Sequence, residues 1–421
     1  MRKLKVVQIG VTHEHANGKF MAVQALHDEY EVVGYVDERA YCDAVRFGDC
    51  SGLMKDIPRL TEEELWQRKN VDAVFVEVPN ADLVPTALRV MEHNLPMHMD
   101  KPAGMDLGLY KKLLDGCEAR GLAFQMGYMF RGGATFRYVK KLVEAGALGD
   151  IVSIDIDMDH CYGGDPYQEY LSKMRGGVMY NLGCHAIDYV VTLMGDQEPV
   201  RTVPFLQSAA DVPGNTVSNA IAVIEYPHAT ATVRACSRKA SADPISQRQA
   251  RIGGTLGFCT WKPLERYDGK PITLNFYLKK RACGFEPGEY TIDFPPFSNY
   301  AQRFTTQLSE FAAMVRGEAS SEYSFKHDYL VHKVALEAAG EEVGFGGIGA
   351  AGLGLGVERG GEVALQQGEQ FVLGAALEHL GDEGAAGGKD ADSEIGGEFD
   401  QRHDADMVGG AVTGGGRRHV G

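Results

Sequence analysis

The chain has 421 residues, 44% hydrophobic and 24% charged, a balance typical of a folded protein with about two to three domains. Its formal net charge of -16 argues against the basic surface that nucleic acids and anionic membranes require. No apolar run approaches the roughly 20 residues of a membrane helix, and the eight cysteines include no Cys-x-x-Cys pair. We therefore expect a reduced, cytoplasmic protein without nucleic-acid, membrane or metal partners.

Apolar runs alternate with helix-like segments over the first 126 residues. The first predicted strand, Leu4 to Ile9, is rich in Val and Ile and is closed by Gly10. Further strands are predicted at 31–36, 71–78, 97–99 and 123–127, with helices at 14–28, 83–93 and 106–120. This alternation predicts an α/β fold, in which residues 1–126 form a doubly wound Rossmann domain.

The pattern changes after Gly127. Polar and apolar residues alternate through Ile151–Met158, as in a half-buried antiparallel strand. Further strands are predicted at 218–226, 229–236 and 271–278, with helices at 134–146 and 299–316. Residues 127–340 are therefore predicted to be an α+β domain with a largely antiparallel sheet.

The last 81 residues differ in composition from the rest. Residues 341–421 are Gly-rich and hold 15 acidic against 5 basic side chains. Such a segment buries too little apolar surface to offset the entropy of ordering its backbone. We expect it to be disordered and outside the functional fold.

The turn after the first strand matches a dinucleotide-binding motif in part. The motif reads G-x-G-x-x-G/A, and here Gly10 is followed by Thr12 and His15 at the other two glycine positions. Gly10 can make the tight turn and Thr12 can cap the next helix. The helix N-terminus then offers N–H groups to a pyrophosphate.

Asp37 stands at the end of the second predicted strand. An acidic residue at this spacing is placed to accept hydrogen bonds from the adenosine ribose. Its charge would repel a 2′-phosphate, so we expect NAD as the cofactor, with NADP as the alternative. Arg39 lies close enough in sequence to weaken that preference.

Two further segments carry candidate chemistry. Lys101 and Pro102 follow the strand at 97–99, at the carboxyl end where open α/β sheets bind ligands, and Pro102 fixes the backbone after Lys101. Asn181 and His185 are four residues apart, so on an α-helix they would share a face.

Together these motifs resemble the glucose–fructose oxidoreductase and inositol 2-dehydrogenase family from about residue 4 to residue 340. The motifs that carry the resemblance are Pro79-Asn80, Asp100-Lys101-Pro102, Gly127-Tyr128 with Arg131, Gly146–Gly149, Asn181…His185…Asp188, Gly254–Gly257 and the helix from Tyr300 to Gly317. Asn181 stands where the family commonly has Asp, and the glycine motif is incomplete.

The resemblance implies hydride transfer between NAD(P) and a secondary alcohol of a sugar, cyclitol or similar polyol. It implies Lys101 and His185 as catalytic residues, and Asn181 and Arg131 as substrate-binding residues. The cofactor-binding residues would be Gly10, Thr12, His13, Asp37, Pro79, Asn80, Lys101 and Pro102. The second domain would bind substrate and mediate homo-oligomerisation.

Two other functions remain open at this point. One is an NAD-dependent glycosidase of the same fold, in which the cofactor is regenerated within each turnover. The other is a non-catalytic regulator that binds a nucleotide or a sugar. The incomplete glycine motif and Asn181 favour a regulator, whereas Lys101 and His185 favour an enzyme.

Overall fold

The computed structural model describes residues 2–40, 48–161, 164–212, 216–240 and 245–341. Apart from Glu341, the predicted disordered tail lies outside these residues. No helix among them is long and apolar enough to cross a bilayer.

Six of the described strands form a parallel sheet. They are β1 Leu4–Ile9, β2 Tyr30–Val36, β3 Arg59–Leu60, β4 Ala73–Val76, β5 Met97–Met99 and β6 Phe124–Met126. Their order is β3-β2-β1-β4-β5-β6, which is the Rossmann order. The intervening helices are α1 Ala16–Ala25, α2 Glu62–Gln67, α3 Leu83–Glu92 and α4 Leu107–Arg120. The predicted Rossmann fold is confirmed.

Local sequence explains why these elements begin and end where they do. Val6, Val7 and Ile9 are fully buried in the central strand, as the apolar run predicts. At α4, the Asp106 side chain accepts a hydrogen bond from the Leu109 amide at the N-terminus, and Gly121 ends the helix in the left-handed conformation.

Eight of the described strands form the second sheet. They are β7 Ile151–Asp157, β8 Arg201–Gln207, β9 Asn219–Glu225, β10 Thr230–Cys236, β11 Gln249–Gly254, β12 Gly257–Trp261, β13 Ile272–Leu278 and β14 Gly288–Phe294. The order is β14-β13-β12-β11-β7-β10-β9-β8, and every neighbouring pair is antiparallel except β7 with β10. A largely antiparallel second sheet is therefore confirmed.

The remaining helices join this sheet to the first. They are α5 Ala134–Glu144, α6 Gly164–Ser172, α7 Cys184–Leu193, α8 Gln302–Val315 and α9 Phe325–Ala338. Helix α8 packs on α1, and the hydroxyl of Tyr30, at the start of β2, donates a hydrogen bond to the Leu308 carbonyl of α8. Helix α9 packs on α4 and α7. One continuous apolar core therefore holds both sheets, and it fixes the polar groups between them.

Candidate active site

The turn between β1 and α1 requires glycine at its first position. Gly10 has φ of +104°, and a Cβ there would lie 2.3 Å from the Glu77 carbonyl oxygen. Any side chain would therefore collide with the end of β4. The close packing brings the turn against the carboxyl end of the sheet.

Thr12 does not cap α1, contrary to the sequence prediction. The N-cap residue is His15, whose side chain makes no capping hydrogen bond. The Thr12 hydroxyl instead contacts the carboxylate of Glu38, which also accepts hydrogen bonds from the Val11 and Thr12 amides at 2.7 and 3.0 Å. Glu38 thus occupies the first two amide donors after Gly10.

The Asp37 carboxylate is paired with two arginines. Arg39 donates to both of its oxygens, at 2.8 and 2.7 Å, and the Arg59 guanidinium lies 3.2 Å away. The Arg39 hydrogen bonds lower the pKa of Asp37. The predicted NAD preference rests on repulsion of a 2′-phosphate by this carboxylate, and the two arginines offset part of its charge.

A buried charged cluster, the Lys19 cluster, consists of Lys19, Glu77 and Asp100. The Lys19 ammonium lies 3.1 Å from Glu77 Oε1 and 2.6 Å from Asp100 Oδ2. Burial raises the pKa of Glu77 well above its usual value, and the nearby Asp100 adds to the effect. Burial acts in the same direction on Asp100, but Lys19, His13 and His15 together outweigh it and hold the pKa of Asp100 well below normal.

Two histidines from the turn lie against this cluster. His13 Nε2 is 2.8 Å from the amide oxygen of Asn80, and its Nδ1 is 3.6 Å from Asp100. His15 Nδ1 is 3.1 Å from Asp100 Oδ1. Burial, reinforced by the charge of Lys101, lowers the pKa of His15 to about 4. Its imidazole is therefore neutral at physiological pH.

The Lys101 side chain contacts one residue of the turn after β1 and one residue of the π-helical turn before α7. Its ammonium lies 3.1 Å from Glu14 Oε1 and donates to the Asn181 carbonyl at 2.8 Å. Burial alone would lower the pKa of Lys101, but the charge and hydrogen bond of Glu14, together with Cys184 and Asp100, outweigh it and the pKa is raised. The same pairing lowers the pKa of Glu14 to about 2, against the effect of its burial. Lys101 is therefore cationic.

His185 is buried with neither ring nitrogen hydrogen-bonded to any described residue. Its ring makes edge contacts with Phe130 and Tyr128, with ring centres 4.8 and 5.8 Å apart. Burial lowers the pKa of His185 well below its usual value, and the charge of Lys101 lowers it further. A neutral imidazole with free nitrogens can accept a proton.

Asn181 and His185 do not lie on one regular α-helix. Residues Met179–Gly183 form a π-helical turn, and α7 begins at Cys184, so the four-residue spacing of an α-helix does not apply. The Asn181 amide donates to the Tyr167 hydroxyl at 3.0 Å and lies 3.3 Å from Glu14 Oε2. Asn181 therefore lies beside Glu14 and Lys101 in the site.

Arg131 lies in a separate ionic network. Its guanidinium contacts both oxygens of Asp188 and donates to Asp328 at 2.8 Å. It also lies over the Tyr323 ring at 3.9 Å. These partners give Arg131 a structural role, and the geometry does not favour the predicted contact with substrate.

The remaining predicted residues lie close to these groups. Pro79 precedes the short 3-10 turn Asn80–Asp82, and the Asn80 amide lies 3.5 Å from Asn181 Oδ1. Pro102 is buried and follows a cis peptide bond. Sequence reasoning missed the roles of Glu14, Lys19, Glu38, Glu77 and Asp100. The sequence signals for them were the Asp100-Lys101-Pro102 motif and the polar residues 12–15 directly after a buried strand.

Comparison with known proteins supports the fold. Residues 136–260 match the family model described as the GFO/IDH/MocA C-terminal domain. A sugar 3-reductase from Streptomyces violaceoruber, dTDP-3,4-didehydro-2,6-dideoxy-alpha-D-glucose 3-reductase, is 26% identical over 139 residues, 33% of this chain and 41% of that protein. The chain spans about one third to just over half of the length of the curated relatives it matches first.

Solved structures match over a larger share of the chain. A levoglucosan dehydrogenase in complex with NADH and levoglucosan has a TM-score of 0.64 at 17% identity, covering 80% of this chain and 98% of that one. A 3-ketoreductase from Actinomadura kijaniata, in complex with NADP and TDP-benzene, has a TM-score of 0.60 at 18% identity, covering 79% and 95%. The resemblance indicated by the sequence motifs is thus confirmed: the chain has the fold of the Gfo/Idh/MocA-type oxidoreductases, and residues 136–260 match the model of their C-terminal domain.

Proposed function

We propose that the chain is an NAD(P)-dependent oxidoreductase that transfers a hydride between nicotinamide and a secondary alcohol of a sugar, cyclitol or similar polyol. One observation carries the proposal. A cationic Lys101 and a neutral His185 with free ring nitrogens are buried in the same region. That combination suits an alcohol that must lose a proton while its oxygen gains negative charge.

The first sheet suits a dinucleotide, which would supply the hydride acceptor or donor when bound. The strand order and the close approach of Gly10 to β4 fit such a ligand. The amides of Val11 and Thr12 already donate hydrogen bonds to Glu38. A pyrophosphate would therefore bind to the remaining amides of the turn and to the N-terminus of α1. His13, Asn80 and Pro102 line this part of the sheet edge.

In oxidation, His185 would accept the hydroxyl proton on a ring nitrogen. The Lys101 ammonium has three N–H donors, and Glu14 and the Asn181 carbonyl engage it through two contacts. The third donor is available to stabilise the alkoxide. The Asn181 side-chain amide, which contacts Glu14 beside Lys101, would hydrogen-bond a second hydroxyl of the substrate.

The test is a panel of sugars and polyols assayed for nicotinamide absorbance with NAD and with NADP. Lys101→Met and His185→Gln should each lower kcat by about 10²- to 10⁴-fold on an accepted substrate, because each removes a group that acts on the reacting oxygen. The exposed Lys112 and His27 provide matched controls, Lys112→Met and His27→Gln, with wild-type kcat expected.

Two outcomes would count against the proposal. If neither NAD nor NADP binds the intact protein, a non-catalytic regulator would be favoured. Turnover of a glycoside without net formation of reduced cofactor would favour the glycosidase chemistry.

We further propose a cytoplasmic homo-oligomer. Cys50, Cys117, Cys184, Cys236, Cys259 and Cys283 are free thiols, as expected in a reducing compartment. Phe205 on β8 and Phe258 on β12 are 57% and 47% exposed, and large apolar side chains on a sheet are candidates for subunit contact. Phe205→Glu should shift the chain to a smaller species in size-exclusion chromatography, while an unchanged elution volume would count against this face.

A further inference from the structure

We propose that His13, His15 and Asp100 form a binding site for a divalent transition-metal ion, with Glu77 as a fourth ligand. One possible ligand atom from each of the first three residues lies within 4.8 Å of the other two, and all three residues are buried. This site goes beyond the proposed function and does not depend on it. It also replaces the sequence expectation that the chain has no metal site.

The spacing of the side chains suits a small ion. His15 Nδ1 lies 3.1 Å from Asp100 Oδ1, His13 Nδ1 lies 3.6 Å from Asp100 Oδ2, and Glu77 Oε2 lies 3.9 Å from His13 Nδ1. Metal–ligand bonds of about 2.0–2.2 Å imply ligand–ligand separations of roughly 3.3 Å in a tetrahedral site. Shifts of a few tenths of an ångström would therefore bring these pairs to the separation a metal needs.

His13 is oriented as a metal-binding histidine. Its Nε2 donates a hydrogen bond to the Asn80 amide oxygen, so its Nδ1 carries the lone pair. Histidine ligands commonly donate their second N–H to a carbonyl or carboxylate, which fixes the tautomer and the ring. The His15 amide now donates to this Nδ1 at 3.1 Å, and metal binding would displace that hydrogen bond.

The carboxylates have capacity for a second cation. Lys19 contacts Glu77 Oε1 and Asp100 Oδ2. Asp100 Oδ1 accepts a hydrogen bond from the Lys101 amide at 2.6 Å and lies 3.1 Å from His15 Nδ1, whereas Glu77 Oε2 has no hydrogen-bond partner among the described residues. Two buried carboxylates thus face one ammonium, and an uncompensated buried charge is costly. Either a proton shared by the carboxylates or a metal ion can supply the missing positive charge.

The ligand set indicates the class of metal. Two imidazoles with one or two carboxylates suit Zn²⁺, Co²⁺, Mn²⁺ or Fe²⁺. Mg²⁺ and Ca²⁺ favour sites made of oxygen ligands. Since the site lies beside the Glu14–Lys101 pair, a bound ion would be near the proposed substrate oxygen.

The experiment is a titration of the chelator-treated full chain with Co²⁺, followed by visible absorption. We expect one Co²⁺ per chain with a spectrum typical of nitrogen and oxygen ligands. His13→Gln and His15→Gln should each weaken binding at least 10-fold, whereas His27→Gln, which changes a histidine 73% exposed at its side chain, should not. Zn²⁺ should raise the Tm of the wild type but not of the double variant.

Asn80→Ala is a second probe, because it keeps both histidines and removes the amide oxygen that orients His13. It should weaken Co²⁺ binding by about 10- to 100-fold, and it remains informative if a histidine variant does not fold. No Co²⁺ binding, equal binding by the double variant, or a spectrum dominated by thiolate charge transfer would overturn the proposal. NADH binding measured in chelator tests the dinucleotide site separately, so the two proposals can fail independently.

Discussion

Two buried cations, Lys19 and Arg131, each contact two carboxylates, but the two groups differ in how fully those carboxylates are engaged. Arg131 contacts both oxygens of Asp188 and one of Asp328 through its planar fork. Around Lys19, the Glu77 Oε2 atom has no hydrogen-bond partner within the described part of the chain. A guanidinium has five donors in fixed directions, whereas an ammonium has three on a flexible stem.

The difference distinguishes a structural ion pair from a group that can take a ligand. A fully paired buried network resists change, because losing one member leaves charges that cannot be solvated. A network with an unused oxygen can bind a proton or a cation. Arg131, Asp188 and Asp328 are therefore expected to act in stability, and the Lys19 cluster in chemistry.

The largest stability effect should follow from loss of the arginine. Arg131→Met leaves Asp188 and Asp328 buried without their cation, and we expect a loss of about 3–5 kcal/mol in the free energy of unfolding. Urea denaturation measures it. Arg137→Met is the control, since Arg137 pairs with Glu310 at the surface and should cost about 0–1 kcal/mol. Equal losses of unfolding free energy in the two variants would show that the buried Arg131 network stabilises the fold no more than a surface ion pair does.

Loss of the lysine should cost less. Lys19→Met removes the cation from Glu77 and Asp100, but one carboxyl can hold a proton instead. We expect a loss of about 1–3 kcal/mol, measured in chelator so that no metal contributes. A loss as large as that of Arg131→Met would show that the Lys19 cluster is also structural.

The Arg131 network should also give the protein a pH-dependent stability. Burial opposes the charged form of His327, but its contacts with Asp188 and Asp196 outweigh this and raise its pKa to about 8. The stabilisation is fully present below the unfolded pKa of about 6.5 and is lost as pH rises through about 8, a change on the order of 2 kcal/mol. His327→Gln should flatten the wild-type curve of unfolding free energy across this range. An unchanged curve would argue against a charged His327.

The smallest expected effect concerns cofactor choice. With the ionised Asp37 carboxylate paired to Arg39 and Arg59, we expect NADP to bind. Arg39→Ala should lower the affinity for NADP relative to NAD by roughly two- to fivefold, the size of effect expected for an exposed ion pair. Fluorescence titration with both cofactors measures the ratio. Arg2→Ala, which changes an exposed arginine paired with Asp72, should leave the ratio unchanged. A ratio that moves towards NADP in Arg39→Ala would contradict the role of Arg39.

The sequence predicted the fold best where burial is continuous. Strand β1 was placed correctly because Leu4 to Ile9 is an apolar run closed by glycine. Strands β11 and β12 were missed because Gly253, Gly254 and Gly257 weaken the strand pattern. Strand β3 has only two residues and carries too little pattern to predict.

The site was predictable only in part, for a similar reason. Lys101 and His185 stand in motifs that the sequence displays. Lys19, Glu77 and Asp100 come from three elements, and only the order of the parallel strands brings their side chains together. The π-helical turn before His185 depends on tertiary packing, which a helical spacing rule does not include.

The parallel pairing of β7 with β10 has a consequence for folding kinetics. About 70 residues separate the two strands, and that stretch contains α6 and α7 with His185. Closing so long a loop costs entropy before the pairing is gained, and non-local pairs slow folding. Helix α7 contacts both strands, so the final packing around His185 should lag behind the recovery of helical signal during refolding.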